Sequence, residues 1–191
     1  MPDAAQRQHA LVSFLNENSA SGPDNAAVRL EVRPNYGYLN LRGDPGDEQF
    51  LQTVQARIGQ PLPILANTFT VGEHAIFWLG PDEWLLATGL GREKETAGQL
   101  EKTLSGQSHS LVDVTGGQIL LRLSGNRVRE ALAKGCTLDL HPRAFKVGQC
   151  AQTTLAKTSM LIALIDDKPT FDIIVRRSFA EYAACWLRHS G

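Results

Sequence analysis

The fifteen residues from Ala75 to Gly89 read AIFWLGPDEWLLATG, and they restrict the fold more than any other stretch of the chain. An apolar run, a Pro81-Asp82 turn and a second apolar run are compressed so tightly that they must pair as an antiparallel hairpin, with Trp78 and Trp84 close to its tip. Earlier, Val28, Leu30 and Val32, then Tyr36, Tyr38, Leu39 and Leu41, suit half-buried strands. Phe50, Leu51, Val54 and Ile58 recur at helical spacing after Asp44-Pro45-Gly46 and predict an amphipathic helix. Strands over Ala75 to Leu79 and Trp84 to Thr88 follow, then a helix from Arg92 to Leu104.

The second half repeats this order. Strands are expected at Ser110 to Val114 and Gln118 to Leu123, a helix at Asn126 to Lys134, and strands at Ala151 to Lys157, Met160 to Ile165 and Phe171 to Arg176. A last helix spans Phe179 to His189. Gly37 to Arg42 (GYLNLR) parallels Gly117 to Arg122 (GQILLR), and the segment around GPDEWLL parallels that around IDDKPTFDIIV. These echoes lie roughly eighty to ninety residues apart, the period of a duplicated unit. The alternative is that any strand-turn-helix unit resembles another to some degree. Hairpins mixed with helices predict an α+β fold of pseudo-duplicated strand-strand-helix units, helices packed on antiparallel sheets. Residues 26–191 form its single domain. Residues 1–25, with a short helix over Ala4 to Asn16 and a polar Ser/Gly/Asn stretch over Asn18 to Asn25, read as a mobile N-terminal arm.

A chain of 191 residues can build a core without a disulfide or metal staple. Its 19 Lys plus Arg against 20 Asp plus Glu, without blocks of like charge, argue against nucleic-acid or membrane partners. Three widely spaced cysteines, Cys136, Cys150 and Cys185, and no secretory or membrane-spanning segment at the N-terminus point to a reducing, cytoplasmic setting.

Chemical motifs are sparse. The five histidines never pair at i, i+4 and no Cys or His pair has metal-ligand spacing, so no metal site is expected. Gly89-Leu90-Gly91 lacks the third glycine of a dinucleotide loop, Lys94 standing in its place, and reads as a turn. Ser124-Gly125-Asn126 reads as a turn capping the following helix. Asp82 and Glu83 at the hairpin tip, beside Trp84, can meet a basic partner surface, or the tip is a solvated turn over a core Trp84. Asp113, within LVDVTGG, and Asp172, in FDIIV, are lone carboxylates in apolar strands, where they need hydrogen-bond partners or a catalytic purpose. Arg176 and Arg177 can hold anions, but adjacent strand residues face opposite ways, so at most one serves a pocket. Tyr182 and Trp186 share one helix face, as core packing or as a docking stripe.

Three of these segments together carry a resemblance. GPDEWLL, Asp113-Val114-Thr115 and the tail FDIIVRRSFAEYAACWL (Phe171 to Leu187), with Arg177-Ser178-Phe179-Ala180 and Tyr182 before Trp186, are similar to the gamma subunit of heterotetrameric sarcosine oxidase over Val28 to Leu187. More distantly, the chain resembles the folate-binding domain of glycine-cleavage aminomethyltransferases, where two adjacent aspartates precede an apolar strand. Here only Asp172 is kept, so that likeness implies the fold more than folate chemistry.

The resemblance implies a cytoplasmic complex that oxidises sarcosine to glycine, yields hydrogen peroxide and passes the one-carbon unit to tetrahydrofolate. It places FAD, FMN, NAD and tetrahydrofolate on partner subunits. This chain is then a cofactor-free, noncatalytic member beside larger alpha and beta subunits and a small delta subunit. Asp82, Glu83, Trp84, Tyr182, Trp186 and the N-terminal arm become its contact candidates. The alternative is a free-standing folate-dependent one-carbon transferase or folate sensor, in which Asp113 or Asp172 meets the pterin and Arg176 or Arg177 the glutamate tail.

Overall fold

The computed structural model describes Leu11, residues 27–33 and residues 36–190. The expected helix over Ala4 to Asn16 and the polar stretch after it lie outside the described residues, apart from Leu11. Ten strands are described: β1 (Arg29–Arg33), β2 (Tyr36–Gly43), β3 (Phe69–Val71), β4 (Ala75–Gly80), β5 (Glu83–Gly89), β6 (His109–Asp113), β7 (Gln118–Ser124), β8 (Cys150–Leu155), β9 (Thr158–Asp166) and β10 (Thr170–Arg176). The α-helices are α1 (Glu48–Ile58), α2 (Glu93–Thr103), α3 (Val128–Ala133) and α4 (Ala180–Ser190). Strand β3 was not foreseen, because three residues are too few to show an alternating pattern.

The strands form two antiparallel sheets, ordered β3-β4-β5-β2-β6 and β8-β9-β10-β7-β1. Written this way, each position in one sheet has its counterpart in the other, with one exchange. Strand β1, which opens the first repeat, pairs with β7 of the second, and β6, which opens the second, pairs with β2 of the first. The duplicated units are thus interlocked by their leading strands. Register supplies the residue equivalences: Leu39 pairs with Leu86 as Leu121 pairs with Ile173, and Trp84 answers to Phe171. The repeats therefore align Leu39 with Leu121 and Gly43 with Gly125, two residues on from the sequence echo. A slip of two keeps every side chain on its face, so the strand pattern cannot reveal it.

Alternation along the strands sorts the core into three bodies. Leu39, Leu41, Ile76, Trp84 and Leu86 point to α1 and α2 and meet Phe50, Val54, Ile58, Leu100 and Leu104. In the other sheet Leu121, Leu123, Phe171, Ile173 and Val175 point to α3 and α4, where Val128, Leu132, Ala183 and Leu187 cover them and Leu11 is buried. Between the sheets Tyr38, Phe77, Leu85 and Ala87 face Leu120, Cys150, Leu161, Ala163 and Ile174. The result is four layers, helices, sheet, sheet, helices.

Local chemistry fixes the helix ends. Asp47 caps α1 by accepting the amide hydrogens of Gln49 and Phe50 (2.9 and 3.2 Å), and Gly59 closes it at φ 74°. Gly91, at φ 86°, donates its N–H to Glu93 Oε2 (2.7 Å) ahead of α2, which is the turn use expected for it. The Ser124-Gly125-Asn126 corner turns the chain, with Val128 N–H donating to Gly125 O (3.2 Å), but no side chain caps α3. Gly43 admits the Phe50 ring so closely that a Cβ there would lie 2.2 Å from it.

Two predictions follow from this architecture. Halves comprising residues 27–106 and 107–190 each lack a strand of their own sheet and hold one of the other's. Circular dichroism should find each half unfolded alone and a stoichiometric folded pair on co-refolding; cooperative melting of either half alone would refute the interlock. The second concerns His74, which is buried with its Nδ1 unpartnered among the described residues, while Gln60 Nε2 donates to its carbonyl oxygen (3.0 Å). Burial, chiefly, holds its pKa below the ordinary histidine value. The unfolded chain then binds the proton more readily, so His74 lowers stability as pH falls below about 6.5 towards the depressed folded pKa. Chemical denaturation at several pH values should show this acid slope flattened in His74→Gln.

Candidate functional site

Stacked twisted sheets diverge at their corners, and side chains on the inner faces there need not be apolar. At the corner where β2, β5 and β6 face β8, β9 and β10, the divergence opens a cavity of about 790 Å³. Asn40, Glu83 and Leu85 come from one sheet, Gln152, Ser159, Leu161, Ile174 and Arg176 from the other. The link between β6 and β7, including Asp113, Val114, Gly116, Gly117 and Gln118, forms part of the wall.

That link is latched in place. Asp113 Oδ1 accepts the Thr115 N–H (2.9 Å), and Thr115 Oγ1 accepts the N–H of Tyr38 (2.9 Å). Val114 N–H donates to Tyr38 O (2.9 Å). Asp113 is thus an exposed carboxylate tied to the backbone of its own turn, not a charge sunk in an apolar strand. Glu83 accepts a hydrogen bond from Asn40 Nδ2 (2.8 Å). Gln152 Nε2 donates to Leu79 O (2.8 Å), joining the two sheets at the cavity wall.

The sequence candidates separate sharply. Asp113 and Arg176 share the cavity; Arg177 is not in its lining. Asp172 is only 6% exposed and is also absent from the lining. Its two oxygens accept bidentate hydrogen bonds from Arg122 Nε and an Arg122 terminal nitrogen (2.6 and 2.7 Å), directly across β7 and β10. Hydrogen bonding to Asp172, chiefly, raises the Arg122 pKa above its ordinary value. Asp82 pairs with Arg42 at the exposed hairpin tip (2.8 Å). Trp84 has no exposed surface, its indole N–H donating to Pro63 O (2.8 Å), so it is a core side chain with nothing to present to a partner. Tyr182 is exposed, and its hydroxyl accepts the Lys157 N–H (3.4 Å). Trp186 is half-buried and lies over Gly135, where a Cβ would meet its ring at 2.4 Å.

Sequence reasoning missed Asn40, Gln118, Gln152 and Ser159 in the cavity wall, and the Arg122 partner of Asp172. The signal for Asn40 was a polar residue between Leu39 and Leu41 in an apolar strand. Among the described residues no three His, Cys, Asp or Glu side chains gather as metal ligands. Burial pushes the Cys150 thiol up to about 12, leaving it unreactive at neutral pH. No helix among the described residues is long and apolar enough to cross a membrane.

Four layers with exchanged leading strands and a polar inter-sheet corner define the class, an α+β folate-binding-domain-like fold. The aminomethyltransferase T of the Bartonella henselae glycine cleavage system shares it, with a TM-score of 0.62 at 18% identity over 85% of this chain and 46% of that one. The heterotetrameric sarcosine oxidase of Corynebacterium sp. U-96 contains a chain that superposes with a TM-score of 0.86 at 28% identity, covering 96% of this chain and 94% of that one. The sarcosine oxidase gamma subunit family model matches residues 42–191. Sarcosine oxidase gamma subunits from Arthrobacter sp. and Corynebacterium sp. strain P-1 are 35% and 32% identical over 97% and 91% of this chain, and 90% and 84% of theirs. This chain belongs to the sarcosine oxidase gamma subunit family.

The Asp172–Arg122 pair is testable. Asp172→Asn leaves Arg122 without its carboxylate, and breaking such a pair costs about 3 kcal/mol, less in so far as Arg122 stays partly solvated. Urea denaturation should show that loss. The double replacement Arg122→Met with Asp172→Leu should recover most of it; a single variant as stable as the parent would show that the pair contributes nothing.

Proposed function

We propose that this chain is the noncatalytic gamma subunit of a cytoplasmic heterotetrameric sarcosine oxidase, stabilising the larger flavin-bearing alpha and beta subunits, beside a small delta subunit. The observation that carries the reading is the full-length match in sequence and fold to a chain of such a complex. In this reading FAD, FMN, NAD and tetrahydrofolate sit on the partners, and the complex converts sarcosine to glycine, hydrogen peroxide and methylene-tetrahydrofolate. The reading is supported by the state of Asp172, the one carboxylate kept from the aminomethyltransferase pair: both its oxygens are committed to Arg122. Asp82, Glu83 at the hairpin tip, Tyr182 and the exposed edge of Trp186 are the proposed contacts with the larger subunits.

One observation favours the second reading, a free-standing folate-dependent transferase or sensor: Asp113 and Arg176 line one cavity. A single purification separates the two. The tagged chain drawn from its native cytoplasm should emerge in a large assembly with flavin absorption and sarcosine-dependent peroxide production. A colourless lone chain of about 21 kDa that binds tetrahydrofolate would replace the first reading with the second.

A further inference from the structure

The two pseudo-equivalent corners of the sandwich differ in charge pairing. At one, Arg122 and Asp172 satisfy each other across neighbouring strands. By register, Asn40 and Leu85 occupy the same two places at the cavity corner. The ionic groups of that corner stand apart. Among the described residues the Glu83 side chain is hydrogen-bonded by the Asn40 amide alone, and its cross-strand neighbour Arg42 pairs with Asp82 instead (2.8 Å). Arg176 makes no ion pair or side-chain hydrogen bond among the described residues, and it lines the same cavity as Glu83.

A guanidinium and a carboxylate held on facing sheets of one cavity, and not paired with each other, call for a ligand bearing both complementary charges. A bare anion leaves Glu83 unmatched and a bare cation leaves Arg176 unmatched. The remaining surface includes Leu85, Leu161 and Ile174, all buried and apolar, which suit a hydrocarbon side chain. We infer that this corner binds a zwitterionic α-amino acid with an apolar side chain, its carboxylate on Arg176 and its ammonium on Glu83. Glu83 is also among the proposed subunit contacts, so the cavity is tested on this chain outside any assembly.

Calorimetric titration of leucine into the full chain tests this. Saturable binding is expected with a dissociation constant of about 1 mM or below. Arg176→Gln and Glu83→Gln should each weaken it by about tenfold or more, while Arg177→Gln, outside the cavity, leaves it unchanged. 4-Methylpentanoate and isoamylamine, which each lack one charge, should also bind about tenfold or more weakly. Circular dichroism checks that the variants fold; Arg176 is exposed, so its replacement keeps the test sound if Glu83→Gln does not. No saturable binding by about 10 mM, affinity unchanged in Arg176→Gln, or equal binding of a single-charge analogue would each overturn the inference. Tetrahydrofolate binding there with no effect of leucine would overturn it too. Because the titration uses this chain alone, its failure leaves the subunit reading standing, and failed co-purification leaves the cavity reading standing.

Discussion

The exchange of leading strands is the constraint on which the rest of the structure depends. A five-stranded antiparallel sheet in which β6 completes the first repeat and β1 the second cannot be assembled from one repeat alone. Each sheet then has one face for its own helices and one for the other sheet, so the inter-sheet core of Tyr38, Phe77, Leu120 and Ile174 forms only when both repeats are present. Distant pairings of this kind make folding cooperative across the whole chain, since closing the long connections is rewarded only when both sheets are complete. The pseudo-symmetry is thus a mechanical property of the fold.

Symmetry of the backbone left the two corners free to diverge. The Arg122–Asp172 pair joins β7 and β10 at one corner, and two neutral residues at the other leave an open, polar cavity. A docking subunit needs a rigid body with contact groups on its outside, and the committed state of Asp172 and the burial of Trp84 suit that demand. The cavity adds a polar recess that subunit docking does not require.

Much of the fold was legible in the residues. The Ala75–Gly89 hairpin, the helix through Phe50, Val54 and Ile58, and the repeated order of elements came from period two and period 3.6, which are local properties of the chain. Strand β3 escaped because it is three residues long, and the α3 cap was misplaced because the N-cap position falls on Arg127, past the Ser124-Gly125-Asn126 corner. For the site, Arg176 lines the cavity and Arg177 does not, and Asp113, expected to be costly in an apolar strand, is exposed and accepts the Thr115 N–H. The pairing of Asp172 with Arg122, fifty positions away in sequence, had no local signature.

By itself, then, the sequence determined which side chains face together within each strand and helix, because that depends only on dihedral periodicity and on turn chemistry such as Pro81-Asp82. It also carried the family likeness, in GPDEWLL and in the tail from Phe171 to Leu187. Tertiary structure alone decided which strands are neighbours: β1 beside β7 and β6 beside β2 follow from hydrogen bonding between segments far apart in the chain. It alone decided that Asp172 is ion-paired while Glu83 and Arg176, among the described residues, are not, because charges meet or miss according to the register of strands that local pattern cannot align.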